Sequence, residues 1–378
     1  MKTGRVHVAV IGGDGIGPEV TRAAQAILDV AGERFGLTFE WQEILGGGVA
    51  MEAYGTALRE EDLELCVGSD AVLLGAVGGP AWDDPSAEVR PEQALFRLRQ
   101  GLQLFANLRP IVGEPAVLDA SPLRPERLRG VNLLIVRELT GGLYFGERSE
   151  RRMPDGTREA VDTLPYSEAE IRRIARLAFE LARGRRGRLT SVDKANVLAT
   201  SRLWRSVLTE TRRDFPDVIL EHRLVDAFAM HLITHPAAFD VVVTENLFGD
   251  ILSDEASVLT GSLGMLPSAS LGERRTGRGM FGLYEPVHGS APDIAGQDVA
   301  DPIGAMRSAA MMLRWSLGRG DAANAVEAAV RSTLAAGMRT ADLVGESGIV
   351  PVGTRAFTDA VIERLAQPSG QLPIGAQT

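Results

Sequence analysis

The sequence predicts an α/β protein with a largely parallel sheet. Short apolar runs typical of buried strands alternate along the chain with amphipathic stretches of helical period. The first run, Val6–Ile11, passes through a glycine-rich turn into a helix expected from about Pro18, since proline is favoured at the first position of a helix. Because 378 residues exceed the length of one typical domain, we expect two domains.

The other elements follow in alternation. Further strands are expected at Ala71–Leu74, Val131–Val136, Val218–Val225 and Asp240–Val243. Helices are expected at Ser167–Arg183, Thr200–Phe215 and Pro302–Leu317. The segment 140–165 interrupts the alternation with glycines, charges and turn residues, so it predicts an extended arm of the kind that embraces a second subunit.

Composition limits the possible functions. A hydrophobic fraction of 45% and a charged fraction of 24% are typical of a globular protein. The net charge of -10 opposes nucleic-acid binding, and the arginines of Arg148–Arg188 alternate with acids as on a solvated face. The single cysteine, Cys66, excludes an internal disulfide and lies among apolar residues, so we expect a buried thiol and a reducing cytoplasm. We expect neither a membrane span nor a targeting segment.

A glycine-rich segment, Gly12–Val20 (GGDGIGPEV), is the first candidate for chemistry. Flexible glycines before a helix allow backbone amides to approach a ligand. The spacing differs from the G-x-G-x-x-G dinucleotide fingerprint, so a plain tight turn explains the segment equally well.

Three arginines suit an anionic ligand: Arg99, Arg109 and Arg137. Guanidinium groups grip carboxylates with paired hydrogen bonds, so an arginine cluster at strand ends would suit a dicarboxylate. Solvated arginines are the alternative for each residue taken alone. Arg137 favours the first interpretation because it ends a very apolar strand.

Three aspartates suit a divalent cation. Asp250 and Asp254 are four residues apart and share a helix face, and Asp226 follows an apolar strand. Oxygen ligands of this kind bind Mg²⁺. The alternative is that Asp250 caps a helix after Gly249 and that Asp254 is solvated.

Two residues suit proton transfer, Lys194 in TSVDKAN and Tyr144 in GGLYFG. A lysine near other cations has its charged form disfavoured, and a phenol can deliver a proton. Each has a structural role as its alternative. The loop Glu285–Gly296 (EPVHGSAPDIAG) either folds around a ligand or simply turns.

In this order the motifs resemble those of the β-decarboxylating dehydrogenases, the isocitrate/isopropylmalate dehydrogenase family, and most closely its isopropylmalate branch. The resemblance spans nearly the whole chain and is carried by GDGIGPEV, LLGAVGGPAWD, LFANLRP, VRELTGGLYFG, SVDKANVL, DAFAMH, NLFGDILSD, GSLGMLPSASLG and EPVHGSAPDIAG. It implies two α/β domains with an active-site cleft between them. The first domain would comprise residues 1–104 and 262–378 and carry most of the NAD site. The second, 105–261, would form the dimer and carry the arm at about 140–165.

The resemblance also implies roles for the candidates. Arg99, Arg109 and Arg137 would hold the carboxylates of a malate-type substrate, with Asp226 also beside it. Tyr144 and Lys194 would transfer protons. The Mg²⁺ or Mn²⁺ ligands would be Asp226, Asp250 and Asp254. The enzyme would be a homodimer with shared active sites, in which Lys194 and Asp226 reach the substrate held by the partner.

The implied cofactor is NAD. Family members that use NAD have an acid at the position of Asp293, and this acid accepts hydrogen bonds from the adenosine ribose. Ile294 follows it here. A carboxylate at this position also repels the extra phosphate of NADP. The remaining cofactor-binding residues implied are Glu92, His288, Gly289, Ser290, Ala291 and Asp301. Asp301 replaces a common asparagine, and the stretch 273–280 is longer and more basic than usual. Met306 and Arg307 also differ from the expected residues.

The substrate pocket would be formed by Leu95, Phe96 and the partner's Val197. Apolar side chains there favour an alkyl substituent. With it, the resemblance implies oxidative decarboxylation of (2R,3S)-3-isopropylmalate to 4-methyl-2-oxopentanoate and carbon dioxide in leucine biosynthesis. Phe96 replaces the usual leucine and keeps open a larger alkyl, methylthioalkyl, tartrate or malate substrate. A non-catalytic regulatory subunit is a further alternative, although such subunits usually lose the catalytic residues that are present here.

Overall fold

The computed structural model describes residues 4–82, 87–345 and 348–367. It is a mixed α/β protein. Its strands are β1 (Gly4–Gly13), β2 (Leu37–Glu43), β3 (Ala71–Ala76), β4 (Leu104–Val112), β5 (Asn132–Glu138), β6 (Arg148–Arg152), β7 (Arg158–Asp162), β8 (Arg188–Asp193), β9 (Ile219–Leu224), β10 (Val241–Thr244), β11 (Pro267–Arg275) and β12 (Met280–Pro286).

Most of the helices lie between these strands in sequence, and the last three follow β12. They are α1 (Gly17–Phe35), α2 (Gly48–Tyr54), α3 (Glu60–Gly68), α4 (Gln93–Gly101), α5 (Pro125–Leu128), α6 (Glu168–Arg183), α7 (Ala199–Thr211), α8 (Val225–Thr234), α9 (Asn246–Glu255), α10 (Ile303–Trp315), α11 (Gly320–Ala335) and α12 (Thr354–Ala366). Among the described residues, no helix is long and apolar enough to cross a lipid bilayer.

The chain divides into two compact units. The first runs through Leu98, includes Gly264–Pro267 and resumes at Arg274. Its strands lie in the order β2-β1-β3-β12, and each neighbouring pair is parallel. Helices α1, α10, α11 and α12 pack with one another, and α1 and α10 also contact the strands. The carboxyl ends of β1, β3 and β12 therefore meet at one edge, where α/β proteins commonly bind ligands.

The second unit comprises Arg99–Leu263 and Ser268–Glu273. Strands β5, β10, β8 and β9 are parallel neighbours, whereas β4 pairs antiparallel with both β5 and β11. Helix α6 begins with a capping box, in which Ser167 and Glu170 satisfy each other's backbone N–H groups. The buried face of α6 carries Ile171, Ile174 and Phe179.

The sequence located most elements correctly. Each predicted strand is confirmed within a few residues, and the predicted burial of Cys66 is confirmed. The helix predicted over Thr200–Phe215 is too long, because the α-helix ends at Thr211 and a single 3₁₀ turn, Arg212–Asp214, follows. Within the segment predicted as an arm, β6 and β7 form an antiparallel pair of mostly exposed residues.

Candidate active site

Four parallel strands of the second unit end beside polar residues. Arg137 lies near the end of β5, Glu245 follows β10, Lys194 follows β8 and Asp226 lies just beyond β9. Because the carboxyl ends of parallel strands face the same edge of a sheet, the topology brings these segments to one edge. Residues far apart in sequence are thereby assembled into a candidate site.

Arg137 is the most deeply buried cation of this site, with 2% of its surface exposed. Its Nε and Nη2 atoms donate to Oδ1 of Asn246, at 3.0 and 2.7 Å, and Nη1 donates to Asp250. Asn246 in turn donates from Nδ2 to the carbonyl of Gly141 at 3.0 Å. A Cβ on Gly249 would lie 2.6 Å from Cγ of Arg137, so glycine lets α9 pack closely on this side chain.

Helix α9 begins at Asn246, before Gly249 and Asp250. The carboxylate of Glu245 caps it by accepting from the N–H groups of Phe248 and Leu247, at 2.7 and 3.1 Å. The alternative that Asp250 caps a helix after Gly249 is therefore wrong, because Asp250 lies inside α9. Its carboxylate instead accepts hydrogen bonds from the side chains of Arg137 and Tyr144.

Arg109 is held from two sides. Its Nε donates to Oδ1 of Asn107 at 2.8 Å, and Nη1 donates to Ser253 and lies 3.3 Å from Oδ1 of Asp254. Asn107 also donates to Ser270 at 3.0 Å. Asp254 is thus ion-paired, although its side chain remains largely exposed. The alternative in which Asp254 is only solvated is therefore incomplete, because Asp254 also pairs with Arg109.

The cations and acids at this site perturb one another. Burial, followed by the nearby charge of Arg109, lowers the pKa of Arg137 to about 10, while the charge of Asp250 opposes both effects. For Asp250, burial raises the pKa, but Arg137 and the other neighbours outweigh burial and leave the pKa lowered. For Asp254, burial prevails and the pKa is raised. Three guanidinium groups, of Arg99, Arg109 and Arg137, thus lie close together, and groups of this type can bind carboxylates.

Tyr144 lies in a single 3₁₀ turn, Gly142–Tyr144, directly against the acid. Its hydroxyl donates to Oδ2 of Asp250 at 2.6 Å, and the guanidinium of Arg137 lies 5.6 Å from its ring centroid. Burial, followed by the hydrogen bond to Asp250, raises the pKa of Tyr144 to about 12. The phenol therefore carries its proton at neutral pH.

Lys194 forms a second cluster with Asp226. The Nζ atom lies 2.9 Å from Oδ1 of Asp226, and this hydrogen bond lowers the pKa of that carboxyl. The turn that presents Lys194 is fixed by Asp193, whose carboxylate accepts from Arg205 at 2.8 and 2.9 Å. The side chain of Asp226 is 64% exposed, so this pair faces outward.

The three predicted metal ligands lie at two separate places in one chain. Asp250 and Asp254 lie beside Arg109, whereas Asp226 pairs with Lys194. Among residues 4–82, 87–345 and 348–367 of one chain, no group of three acids, histidines or cysteines is placed to hold a metal. The carboxylate oxygens present are of the type that suits a hard divalent cation, so the donor chemistry fits Mg²⁺ or Mn²⁺.

The loop proposed from sequence for the cofactor joins β12 to α10 in the first unit. Burial lowers the pKa of His288, whose Nδ1 lies 2.8 Å from the carbonyl oxygen of Gly289. Ser290 is buried, Ala291 has a φ of 37°, and Asp293 is exposed. The positive φ of Ala291 is strained for a residue with a side chain, which favours a loop shaped for a function. Ile294 is half-buried beside Asp293.

Asp301 ends this loop as a buried acid. Its Oδ1 accepts from the N–H of Ile303 at 2.8 Å. Burial raises its pKa well above the usual range, and the adjacent Asp342 adds to the effect. Arg307 lies 3.4 Å from Glu327 in an ion pair, and Met306 is buried, which gives both unexpected residues a structural role.

Leu95 and Phe96, proposed for substrate choice, lie on α4, and Val197 follows β8. Glu92, proposed for the cofactor, lies just before α4. Glu92 is exposed, whereas Leu95 and Phe96 are half-buried. Val197 is 62% exposed, which is unusual for an apolar side chain. These are the placements expected of residues that would line a site completed by other groups.

Sequence reasoning missed the residues that hold the arginines. Asn107, Asn246 and Ser253 are polar, fully buried and hydrogen-bonded to Arg109 or Arg137. In the sequence, each of them appears only as a polar residue within an apolar strand or helix face. That pattern does not show which side chain the polar residue contacts. Asp14 was missed for another reason: it lies in the glycine-rich segment Gly12–Val20, which was noted for its glycines and not for its acid.

The fold and this site define a class of enzyme. The family model described as isocitrate/isopropylmalate dehydrogenase matches residues 7–361. The crystal structure of isocitrate dehydrogenase from Methylococcus capsulatus has a TM-score of 0.84 and 34% identity, over 96% of this chain and 100% of that one. The chain belongs to the isocitrate/isopropylmalate dehydrogenase family.

More similar sequences narrow this placement. A 3-isopropylmalate dehydrogenase from Anaeromyxobacter dehalogenans is 56% identical over 95% of this chain and 99% of its own length. Another, from Geobacillus kaustophilus, is 58% identical over 95% of both chains. The chain is therefore an oxidoreductase of a decarboxylating dehydrogenase family.

Proposed function

We propose that the protein uses NAD and a divalent cation to oxidise and decarboxylate (2R,3S)-3-isopropylmalate, giving 4-methyl-2-oxopentanoate and carbon dioxide. The observation that carries the proposal is the hydrogen-bonded network in which the buried Arg137 and the half-buried Tyr144 both donate to Asp250. The guanidinium, the carboxylate and the phenol are in direct contact, and they would serve as anion-binding group, metal ligand and proton donor. The names of the similar dehydrogenases support the choice of substrate.

The arginines bind the two carboxylates of the malate moiety. Arg109 and Arg137 are each held by a buried asparagine, so their guanidinium planes are fixed before the substrate arrives. Arg99, also buried, adds a third positive charge close to Arg137. Fixed donors of this kind orient a dicarboxylate at small entropic cost.

Protons are moved by two residues. Lys194 relays the proton of the C2 hydroxyl as C2 is oxidised, and Tyr144 delivers a proton to C3 after the β-carboxylate leaves as carbon dioxide. The raised pKa of Tyr144 keeps its proton in place until C3 carries the electron pair. Asp226, Asp250 and Asp254 would hold the cation, which would make the hydroxyl more acidic and would polarise the ketone.

The loop between β12 and α10 would hold NAD, which would supply the acceptor for the hydride lost from C2. The exposed carboxylate of Asp293 would accept hydrogen bonds from the adenosine ribose and repel a 2′-phosphate, which favours NAD over NADP. His288, Gly289, Ser290, Ala291 and Ile294 would shape the same loop. Glu92 and Asp301 complete the residues proposed for the cofactor.

The alkyl substituent would contact Leu95 and Phe96. Both are half-buried, so part of each side chain remains available to a ligand. Leu95 precedes Arg99 by four residues along α4, which puts an apolar group one helical turn from a carboxylate-binding one. A branched alkyl malate suits this combination.

The active site would be shared within a homodimer. Lys194 and Asp226 face outward as a pair, and Val197 is exposed beside them. Within the described part of one chain, no third acid, histidine or cysteine lies close enough to Asp250 and Asp254 to complete a metal site. A second subunit that supplies Lys194, Asp226 and Val197 would complete both the metal ligands and the pocket. The arm would help to join the subunits, and the setting would be cytoplasmic leucine biosynthesis.

The test is direct. The purified protein is incubated with NAD, Mg²⁺ and a panel of 3-substituted malates, and NADH and carbon dioxide are followed. We expect turnover to be fastest with 3-isopropylmalate. Turnover restricted to a larger alkyl or methylthioalkyl malate, or to tartrate or malate, would reassign the substrate. No turnover of any of them would leave the non-catalytic subunit as the explanation.

The metal site has its own variant. Asp250→Asn should reduce kcat by at least about 100-fold, because one ligand charge is lost, while the far-UV circular dichroism stays that of the folded wild type. The matched control is Asp217→Asn, which removes a surface carboxylate paired with Arg183. Full activity in Asp250→Asn would exclude this metal site.

A further inference from the structure

The turn after β1 contains a buried acid for which the site described above has no role. Asp14 is 4% exposed, and its carboxylate accepts three backbone N–H groups. Gly48 and Gly78 donate to Oδ2 at 2.8 Å each, and Val49 donates to Oδ1 at 2.9 Å. The donors come from two segments that are distant in sequence, the start of α2 and the loop after β3.

The same turn is bonded to the loop proposed for NAD. The N–H of Ile16 donates to the carbonyl of Ser290 at 2.8 Å, and the N–H of Asp14 donates to the carbonyl of Ala76 at 2.8 Å. Gly15 has a φ of 56°, and a Cβ there would overlap the carbonyl oxygen of Ser290. Only glycine permits this close approach.

The position of the turn in the first unit indicates what these contacts are for. Strands β1, β3 and β12 are parallel, so the turn and both attached loops lie at their carboxyl ends, where α/β proteins bind dinucleotides. Gly78 is also close to Glu92, since a Cβ on Gly78 would lie 3.2 Å from Oε1 of Glu92. Asp14 therefore links segments that adjoin two residues proposed for the cofactor, Ser290 and Glu92.

We infer that Asp14 is a positioning residue for NAD. Its carboxylate fixes the start of α2 and the loop at Gly78 to the turn that also holds Ser290. The inference rests on the proposed function, because it assumes that this edge binds the dinucleotide. An asparagine at position 14 would have nearly the same shape, but one acceptor oxygen would become an NH₂ donor. Because that NH₂ would face a backbone N–H donor, at least one of the two segments would be held less firmly.

The experiment compares Asp14→Asn with the wild type and with Asp70→Asn. Asp70 also accepts a backbone N–H, from His7 at 2.9 Å, but precedes β3 and so lies at the opposite end of the strands. The Kd for NADH is measured by fluorescence titration, and KM is measured for NAD and for 3-isopropylmalate. We expect Asp14→Asn to raise the Kd for NADH and the KM for NAD about tenfold, with the KM for 3-isopropylmalate within about twofold. Asp70→Asn should match the wild type.

The outcomes separate the two proposals. Wild-type protein that neither binds NADH nor uses NAD would overturn both. Active wild type with an unchanged Kd for NADH in Asp14→Asn would overturn the positioning role alone, as would an equal rise in both KM values. If Asp14→Asn does not fold, Val49→Pro removes one donor to Asp14 in the first turn of α2. That variant should raise the Kd for NADH about threefold, and no change would overturn the inference.

Discussion

Replacing Asn246 by alanine would release the guanidinium of Arg137 from its main support. The substitution removes two hydrogen bonds from Arg137, at 3.0 and 2.7 Å, and one to Gly141 at 3.0 Å. Asn246 is fully buried, so water cannot easily replace it. Leaving buried donors of a charged group unsatisfied costs about 3 kcal/mol. For a folding unit of this size, that corresponds to a melting temperature lowered by about 6 to 12 °C.

Two measurements test this expectation. Calorimetry gives the melting temperature, and steady-state kinetics with varied 3-isopropylmalate should show kcat/KM reduced at least about tenfold, because Arg137 is no longer fixed. The matched control is Asn132→Ala, which removes an exposed side chain that accepts from Arg185 at 2.8 Å. It should shift the melting temperature by less than about 2 °C. Equal effects of the two substitutions would refute the supporting role of Asn246.

Three further predictions concern other parts of the molecule. Burial raises the pKa of Cys66 to about 12, so at pH 8 the folded protein should react with a thiol reagent at least about 100-fold more slowly than the urea-unfolded protein. The raised pKa of Asp301 means that its contribution to stability is present below about pH 3.9 and is lost as pH rises through the folded-state pKa. Asp301→Asn should therefore raise the melting temperature more at pH 8.5 than at pH 5, and a pH-independent difference would contradict this. Ser167→Ala breaks the capping box with Glu170 and should cost about 1 kcal/mol, lowering the melting temperature by about 2 to 4 °C with kcat unchanged.

Much of the fold follows from local sequence rules. The apolar run Val6–Ile11, the glycine turn and Pro18 predicted the first strand and helix because these residues restrict the backbone directly. The antiparallel placement of β4 between β5 and β11 was not predicted, since partner choice depends on contacts between distant segments. The early end of α7 was missed because Arg212–Asp214 keep nearly helical backbone angles in a tighter turn.

The candidate site was predictable where a residue type implied its own chemistry. Arg137 stood out because a charged residue ended an apolar strand, and it is indeed buried. The partners that make burial tolerable, Asn246 and Asn107, have short polar side chains that also suit turns and caps. Asp14 lay within a recognised motif, but its acceptance of N–H groups from two distant segments, the start of α2 and the loop after β3, depends on tertiary structure.

Mixed dimers give the most direct test of the shared active site. Lys194→Ala and Asp250→Asn chains are each purified alone and also co-expressed in equal amounts. Each variant alone should have little activity, because every one of its sites carries the defect. Half of the co-expressed dimers would be mixed, with one intact site of two, so activity should return to about one quarter of the wild-type value. Activity no greater than that of the separate variants would contradict a site built from two chains.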